Sequence, residues 1–194
     1  MRQAMAIADE YTESSIRIYA SLMADSLGLP NDDLFARMLA SQALGTGVLP
    51  DGLGLSAEDY AYLLARHFPG CGPVVPLRVV AVDRADMPEW QDLIGLLLDH
   101  RAGRDLSELW LAQIVVAACM GGDHLWQDLG LWSRADLSRL MTENFPALAA
   151  KNDRDMKWKK FLYRQICERE GIHVCPAPSC QACADYAKCF GPET

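Results

Sequence analysis

The sequence predicts an all-α protein, a single helical bundle followed by a loop-like segment that holds a metal cluster on four cysteines. Apolar residues recur at spacings of three and four along most of the chain, as they do on the buried face of a helix. Residues 106–120 are apolar on almost every side, which predicts a helix at the centre of the bundle. Residues 171–194 instead combine prolines with clustered cysteines. We therefore expect a helical domain at 1–170 and a cysteine-rich tail at 171–194.

Start and stop signals place the elements in order. Gly28 and Gly171 are expected to end the first and last helices, and Asn31 to cap the second. His67 and His100 lie near predicted helix ends and are expected at the surface. The predicted helices cover residues 5–27, 32–44, 56–68, a stretch from Pro88, 106–120, 123–128, 133–144, a turn near Leu148 and 155–170. Residues 45–55 and 69–82 are rich in Gly, Pro or Val and are expected to form loops.

Charge is distributed unevenly along the 194 residues. The net charge of −8 divides into −10 for residues 1–150, +3 for residues 151–170 and −1 for residues 171–194. An acidic body argues against a general nucleic-acid binder. No apolar run approaches the ~20 residues of a membrane helix, and no signal peptide is visible. We expect a cytoplasmic protein that uses reduced cysteines for metal rather than for disulfides.

Four cysteines organise the tail: Cys175, Cys180, Cys183 and Cys189, spaced C-x4-C-x2-C-x5-C. A segment this short cannot build a hydrophobic core, so four converging thiolates would supply its organising centre. Soft sulfur ligands suit both zinc and iron–sulfur clusters. Zinc sites more often pair two C-x2-C units, and only Cys180 and Cys183 have that spacing here, so the pattern favours a cluster.

Together with the sequence around it, this array resembles the NifQ family of nitrogen-fixation proteins. The resemblance is dense from about Cys119 to Gly191 and diffuse before that. The matching stretches besides the cysteines are Met156-Lys157-Trp158-Lys159-Lys160-Phe161-Leu162-Tyr163-Arg164-Gln165-Ile166-Cys167-Glu168, His124-Leu125-Trp126-Gln127-Asp128-Leu129-Gly130-Leu131, Arg134-Ala135-Asp136-Leu137-Ser138-Arg139-Leu140 and Asn144-Phe145-Pro146-Ala147-Leu148.

The resemblance implies a molybdenum carrier. Proteins of this kind hold an iron–sulfur cluster of the 3Fe-4S or Mo-Fe3-S4 type, take up molybdenum on it and deliver that molybdenum for assembly of the nitrogenase iron–molybdenum cofactor. The implied partners are molybdate, the cofactor-assembly scaffold complex and the nitrogenase iron protein, with no nucleic acid and no membrane. The implied cluster ligands are Cys175, Cys180, Cys183 and Cys189.

Positive charge immediately precedes these ligands. Lys157, Lys160 and Arg164 are spaced to share one helix face, and Lys159 belongs to the same basic group. As a group they would attract molybdate, offset cluster charge or dock an acceptor protein. Each residue alone is better explained as part of a solvated face. Trp158 and Phe161 are expected to point inward.

Three further residues are candidates for completing the metal site. Cys119 and His124 flank the Gly121-Gly122 break, where glycine lets backbone approach closely. His173 lies two residues before Cys175. The alternative is a buried thiol and a histidine that hydrogen-bonds locally. Cys71 and Cys167 are expected to be structural.

Two other functions stay open. A zinc-stabilised helical adaptor would use the tail only to brace a partner surface, and a simple iron–sulfur electron carrier would need neither molybdenum nor a basic helix. No hydrolase or transferase motif is present. At most the protein would assist conversion of molybdate to sulfur-bound molybdenum, so we expect a carrier rather than an enzyme.

Overall fold

The fold was obtained as a computed structural model that describes residues 2–72, 75, 78–82, 87–171 and 186–191. These residues form helices and connecting loops without a β-strand, which confirms the all-α class for this part of the chain. The helices are α1 Arg2–Ala24, α2 Asp32–Ala43, α3 Ala57–His67, α4 Trp90–Asp99, α5 Ser107–Cys119, α6 Leu125–Asp128, α7 Arg134–Asn144, α8 Pro146–Lys151, α9 Trp158–Arg169 and α10 Tyr186–Phe190.

Helix α5 lies at the centre of the bundle, as its apolar sequence predicts. All of its residues except Leu109 and Gln113 are buried. It packs against α4 and α6, and α4 packs in turn against α9. Burying one leucine-sized side chain stabilises the fold by about 1.5–3 kcal/mol, so α5 is a large part of the hydrophobic stabilisation. Glu108 is also buried because its carboxylate accepts the N–H groups of Gly103 (2.6 Å) and Arg104 (2.8 Å) at the start of the helix.

Helix boundaries agree with the predictions where a local cap decides them. The Ser56 hydroxyl accepts the N–H of Asp59 at 3.0 Å, and the Ser133 hydroxyl accepts that of Asp136 at 3.2 Å. Asn31 precedes α2 but its side chain makes no capping bond. Its amide instead donates to Ser107 Oγ and Asn144 Oδ1, each at 2.8 Å, so it joins α2 to α5 and α7. The Asn31 side chain therefore belongs to a tertiary hydrogen-bond network instead of capping α2.

The expectation that His67 lies at the surface is wrong. Its side chain is fully buried at the end of α3, and Nδ1 lies 2.5 Å from Asp32 Oδ1. Asp32 Oδ2 accepts the Leu29 N–H at 2.8 Å, so the buried carboxylate is satisfied on both oxygens. Burial lowers the pKa of His67, an effect that Asp32 opposes. Pairing with a carboxylate from another helix is what draws the imidazole inward.

Helix α9 begins later than predicted and ends as predicted. Asp155 has a φ of 55°, outside the right-handed helical region, so the helix starts at Trp158 rather than at residue 155. Gly171, with a φ of 70°, follows its last turn. The apolar side of α9, including Trp158, Phe161 and Leu162, is buried. Its other side therefore faces outward just before the cysteine-rich tail.

Among the helices of the described residues, none is both long enough and apolar enough to cross a bilayer.

Candidate metal centre

The last cysteine of the array, Cys189, lies on α10 against the start of α9. Its backbone carbonyl accepts the N–H of Lys157 at 2.9 Å. Cys189 is half-buried, and both it and Phe190 pack against the hydrophobic core. The predicted tail thus contains a five-residue helix whose end is attached to the body. Because Cys189 is bonded to Lys157, the residue just before α9, it lies beside the basic segment although it is distant in the sequence.

The remaining cysteines and one histidine fall outside the described residues. Cys175, Cys180, Cys183 and His173 are all in this group. Among the residues that are described, no cluster of three or more His, Cys, Asp or Glu side chains could hold a metal ion. The four-cysteine site therefore stays a prediction, and of its four proposed ligands the structure describes Cys189.

Lys160 extends toward the sulfur of Cys189. Its ammonium group donates to Cys189 Sγ at 3.7 Å, and the lysine side chain is otherwise exposed. A cation here sits beside an atom that would carry negative charge as a metal ligand. Lys157 is half-buried and contributes its backbone N–H. Two of the basic residues proposed from the sequence thus lie at Cys189.

The Lys159 side chain points to a different side of α9 from that of Lys160 and is bonded to residues outside α9. Its ammonium group forms an ion pair with Asp128 and donates to the Gly121 carbonyl at 2.7 Å. The Asp128 side chain is 2% exposed, and that of Lys159 is 18% exposed. The contact joins α9 to the α5–α6 connection and makes Lys159 a structural residue. Its suggested role in attracting molybdate stays a prediction.

Asp128 was not predicted from the sequence as a functional or structural site. It lies where Lys159 of α9 meets Asp128, Gly121 and Cys119, a contact region that we call the seam. Besides pairing with Lys159, its carboxylate accepts the Asp123 N–H at 3.1 Å, and its backbone carbonyl accepts the Val48 N–H at 3.1 Å. A Cβ at Gly121 would clash with the Asp128 carboxylate, so a larger residue there would force that carboxylate to move. The sequence could have indicated Asp128, because it is the one acid among the leucines of residues 125–131. An acid in such an apolar stretch predicts a buried charge that needs a partner.

Cys119 lies at the end of α5, inside this seam. Its side chain is buried, and burial raises its pKa to about 12; Lys159 lowers the pKa and Asp128 raises it by smaller amounts. The group is a neutral thiol at ordinary pH. Acting as a metal ligand would require losing that proton in an apolar environment. The suggestion that Cys119 completes a metal site stays a prediction, and the geometry offers it a packing role.

His124 is half-buried and stands immediately before α6. Its backbone N–H donates to Gln127 Oε1 at 3.2 Å, and its carbonyl accepts the Gln127 N–H at 2.9 Å. Both bonds are made by the His124 backbone and cap the start of α6. A ligand role for His124 stays a prediction.

Arg164, the last of the proposed basic residues, is exposed on α9. Its Nε donates to Glu168 Oε1 at 2.6 Å, one turn further along the same helix. It lies one turn after Lys160, so these two cations share the outer face of α9, as predicted. Exposed ion pairs of this kind contribute about 0.3–0.5 kcal/mol, so Arg164 has little structural importance.

Comparison with known proteins agrees with the resemblance seen in the sequence. The family model described as NifQ matches residues 34–191. Protein NifQ of Azotobacter vinelandii is 45% identical over 168 residues, covering 81% of this chain and 86% of that protein. Protein NifQ of Rhodobacter capsulatus is 40% identical and covers 88% and 91%. Protein NifQ of Klebsiella pneumoniae is 35% identical and covers 84% and 99%.

No solved structure matches the chain. The family match spans both the seam at Lys159 and the attachment of Cys189, and it extends over most of the helical body. The chain therefore belongs to the NifQ family.

Proposed function

We propose that this protein carries molybdenum on an iron–sulfur cluster held by Cys175, Cys180, Cys183 and Cys189, and delivers it for assembly of the nitrogenase iron–molybdenum cofactor. Membership of the NifQ family implies a role in nitrogen fixation and in biosynthesis of that cofactor. The molybdenum-carrier role and the four-cysteine ligand set are more specific than family membership, and they are our proposal. Such a carrier would work in the cytoplasm and transfer molybdenum to the assembly scaffold or the nitrogenase iron protein.

The observation that carries the proposal is the attachment of Cys189 to the start of α9. The Lys157 N–H and the Lys160 ammonium hold the backbone and the sulfur of one ligand at a defined place on the body. A ligand positioned this way lowers the entropy that must be lost when the other three cysteines converge on a metal. The Lys160 charge beside the sulfur also suits an anionic ligand set.

The donor chemistry fits a cluster. Thiolate sulfur is the ligand that iron–sulfur clusters use, and a three-iron, four-sulfide cluster takes one thiolate per iron. When bound, such a cluster would present an open corner where molybdenum binds through sulfide. The protein's own residues would anchor the iron, place positive charge beside it and attach the site to the helical body.

Metal analysis of protein purified without oxygen tests the proposal. We expect iron, sulfide and substoichiometric molybdenum, together with visible absorption. Cys180→Ala and Cys183→Ala should each lose both iron and molybdenum. Cys167→Ala is the matched control, because Cys167 is a half-buried thiol on α9 outside the array and should keep both.

Two outcomes would contradict the assignment. Colourless protein containing stoichiometric zinc would support the structural adaptor instead. A Cys180→Ala variant with a full iron and molybdenum content would remove the proposed ligand set.

A further inference from the structure

A cavity of about 130 Å³ lies between the α8–α9 connection, the outer face of α9 and Phe190 of α10. One water requires roughly 10–15 Å³ of such space, so the cavity has room for a small polyatomic ion. Its walls carry the cations Lys151, Arg154 and Arg164. No described residue of the Lys159 seam or of the cysteine array lines it.

Among the described residues that line the cavity, positive charge exceeds negative charge. The acids among them are Asp153 and Glu168. Arg164 Nε donates to one Glu168 oxygen at 2.6 Å, and Gln165 Nε2 donates to the other at 2.8 Å. Glu168 is therefore already compensated by groups on its own helix. The remaining cations, Lys151 and Arg154, outnumber the remaining acid in a protein whose net charge is −8.

The two remaining cations are exposed side chains that lie on ordered parts of the backbone. Lys151 Nζ lies 2.8 Å from His100 Nε2, a contact that positions the ammonium without neutralising it. Arg154 belongs to a turn braced at both ends. Asn152 Nδ2 donates to the Met156 carbonyl and Asn152 Oδ1 accepts the Met156 N–H, each at 2.9 Å. Preorganised cations lose less entropy when they bind an anion than cations on mobile chains.

The cavity also adjoins the proposed cluster. Phe190 directly follows Cys189, and Arg164 lies one turn from Lys160, whose ammonium contacts the Cys189 sulfur. We infer that this cavity binds a tetrahedral oxyanion through Lys151 and Arg154, before the anion reaches the cysteines. The shared chemistry is that of molybdate, tungstate and sulfate, which offer charged oxygens to a guanidinium and an ammonium. That molybdate is the natural occupant rests on the proposed function.

Equilibrium dialysis of the full chain against molybdate, at low ionic strength, tests this site. We expect one reversibly bound molybdate per chain, with affinity falling as salt is added. Arg154→Gln should weaken binding about tenfold or more, since it removes a charge-assisted contact. The matched control is Arg17→Gln, which removes another exposed arginine, on α1, and should change affinity less than about twofold.

Two further measurements make the result decisive. Cys180→Ala should bind the anion as the wild type does, because none of the described residues that line the cavity is a cysteine. Sulfate that displaces molybdate at similar concentration would show an oxyanion site that reads charge and shape, and sulfate that fails to displace it would show one selective for molybdate.

The inference is overturned if wild type binds no molybdate, or if Arg154→Gln and Arg17→Gln behave alike. Its failure is separable from that of the carrier proposal. A protein with iron and sulfide but without anion binding would refute the cavity alone. Anion binding by a chain that never acquires iron would refute the carrier alone.

Discussion

Lys159 and Lys160 are adjacent and carry the same charge, but α9 directs them into opposite environments. Lys159 enters the seam formed by Asp128, Gly121 and Cys119, whereas Lys160 stays exposed beside Cys189. Successive residues of a helix are rotated by about 100°, so one step along the chain separates the buried side from the surface. The comparison shows that the two lysines lie in different places, one holding α9 to the body and one beside Cys189, a proposed cluster ligand.

The largest difference between the two sides should appear in thiol reactivity. Because its pKa is about 12, against 9.0 for an ordinary cysteine, Cys119 should be alkylated by iodoacetamide about a thousandfold more slowly than an unperturbed thiol. The folded state keeps this proton, so the stability it contributes is complete below pH 9 and declines as the pH rises toward 12.

Competitive alkylation followed by peptide mass spectrometry, at pH 8 with and without denaturant, measures this rate. Denaturant should abolish the protection. Equal modification of Cys119 in folded and unfolded protein would contradict the buried seam.

The next largest effect concerns stability. Asp128→Asn keeps the shape of the side chain but leaves Lys159 without its counter-charge, which should lower the free energy of unfolding by about 3 kcal/mol. Chemical denaturation followed by circular dichroism gives this value. Lys160→Gln, one residue away but exposed, should change stability by less than about 0.5 kcal/mol.

A double variant sharpens the same comparison. Combining Asp128→Asn with Lys159→Met should cost less than the sum of the single changes, because each single change leaves a buried group unpaired. Additive losses would mean that the two side chains do not interact.

The smallest expected effect tests the bond between the Lys157 backbone and Cys189. Lys157 has a φ of −52°, compatible with proline, so Lys157→Pro should remove the N–H that Cys189 accepts while α9 still begins at Trp158. Loss of one hydrogen bond of about 1 kcal/mol should speed hydrogen exchange at residues 186–191 about fivefold.

Mass spectrometry of metal-free protein measures this exchange. Lys157→Ala retains the backbone N–H and is the control, expected to exchange like wild type. Equal exchange in wild type, Lys157→Pro and Lys157→Ala would show that the bond does not hold α10 to the body.

The sequence alone determined the helical class, the central position of α5 and the helix starts at Ser56 and Ser133. These features are local: apolar spacing selects a helix and its buried face, and a serine next to the first turn satisfies a free N–H without distant partners. The family resemblance was also visible in the sequence, since it depends on residue order and spacing.

Only the tertiary structure decided which polar groups pair with one another. Asn31 binds Ser107 and Asn144 instead of capping α2, His67 is drawn inward by Asp32, and Lys159 is taken by Asp128. Each partner lies on another helix, and sequence spacing does not specify how helices face each other. A buried polar group must find a partner wherever the packing places one, and for that reason the two lysines of α9 could be told apart only in the folded chain.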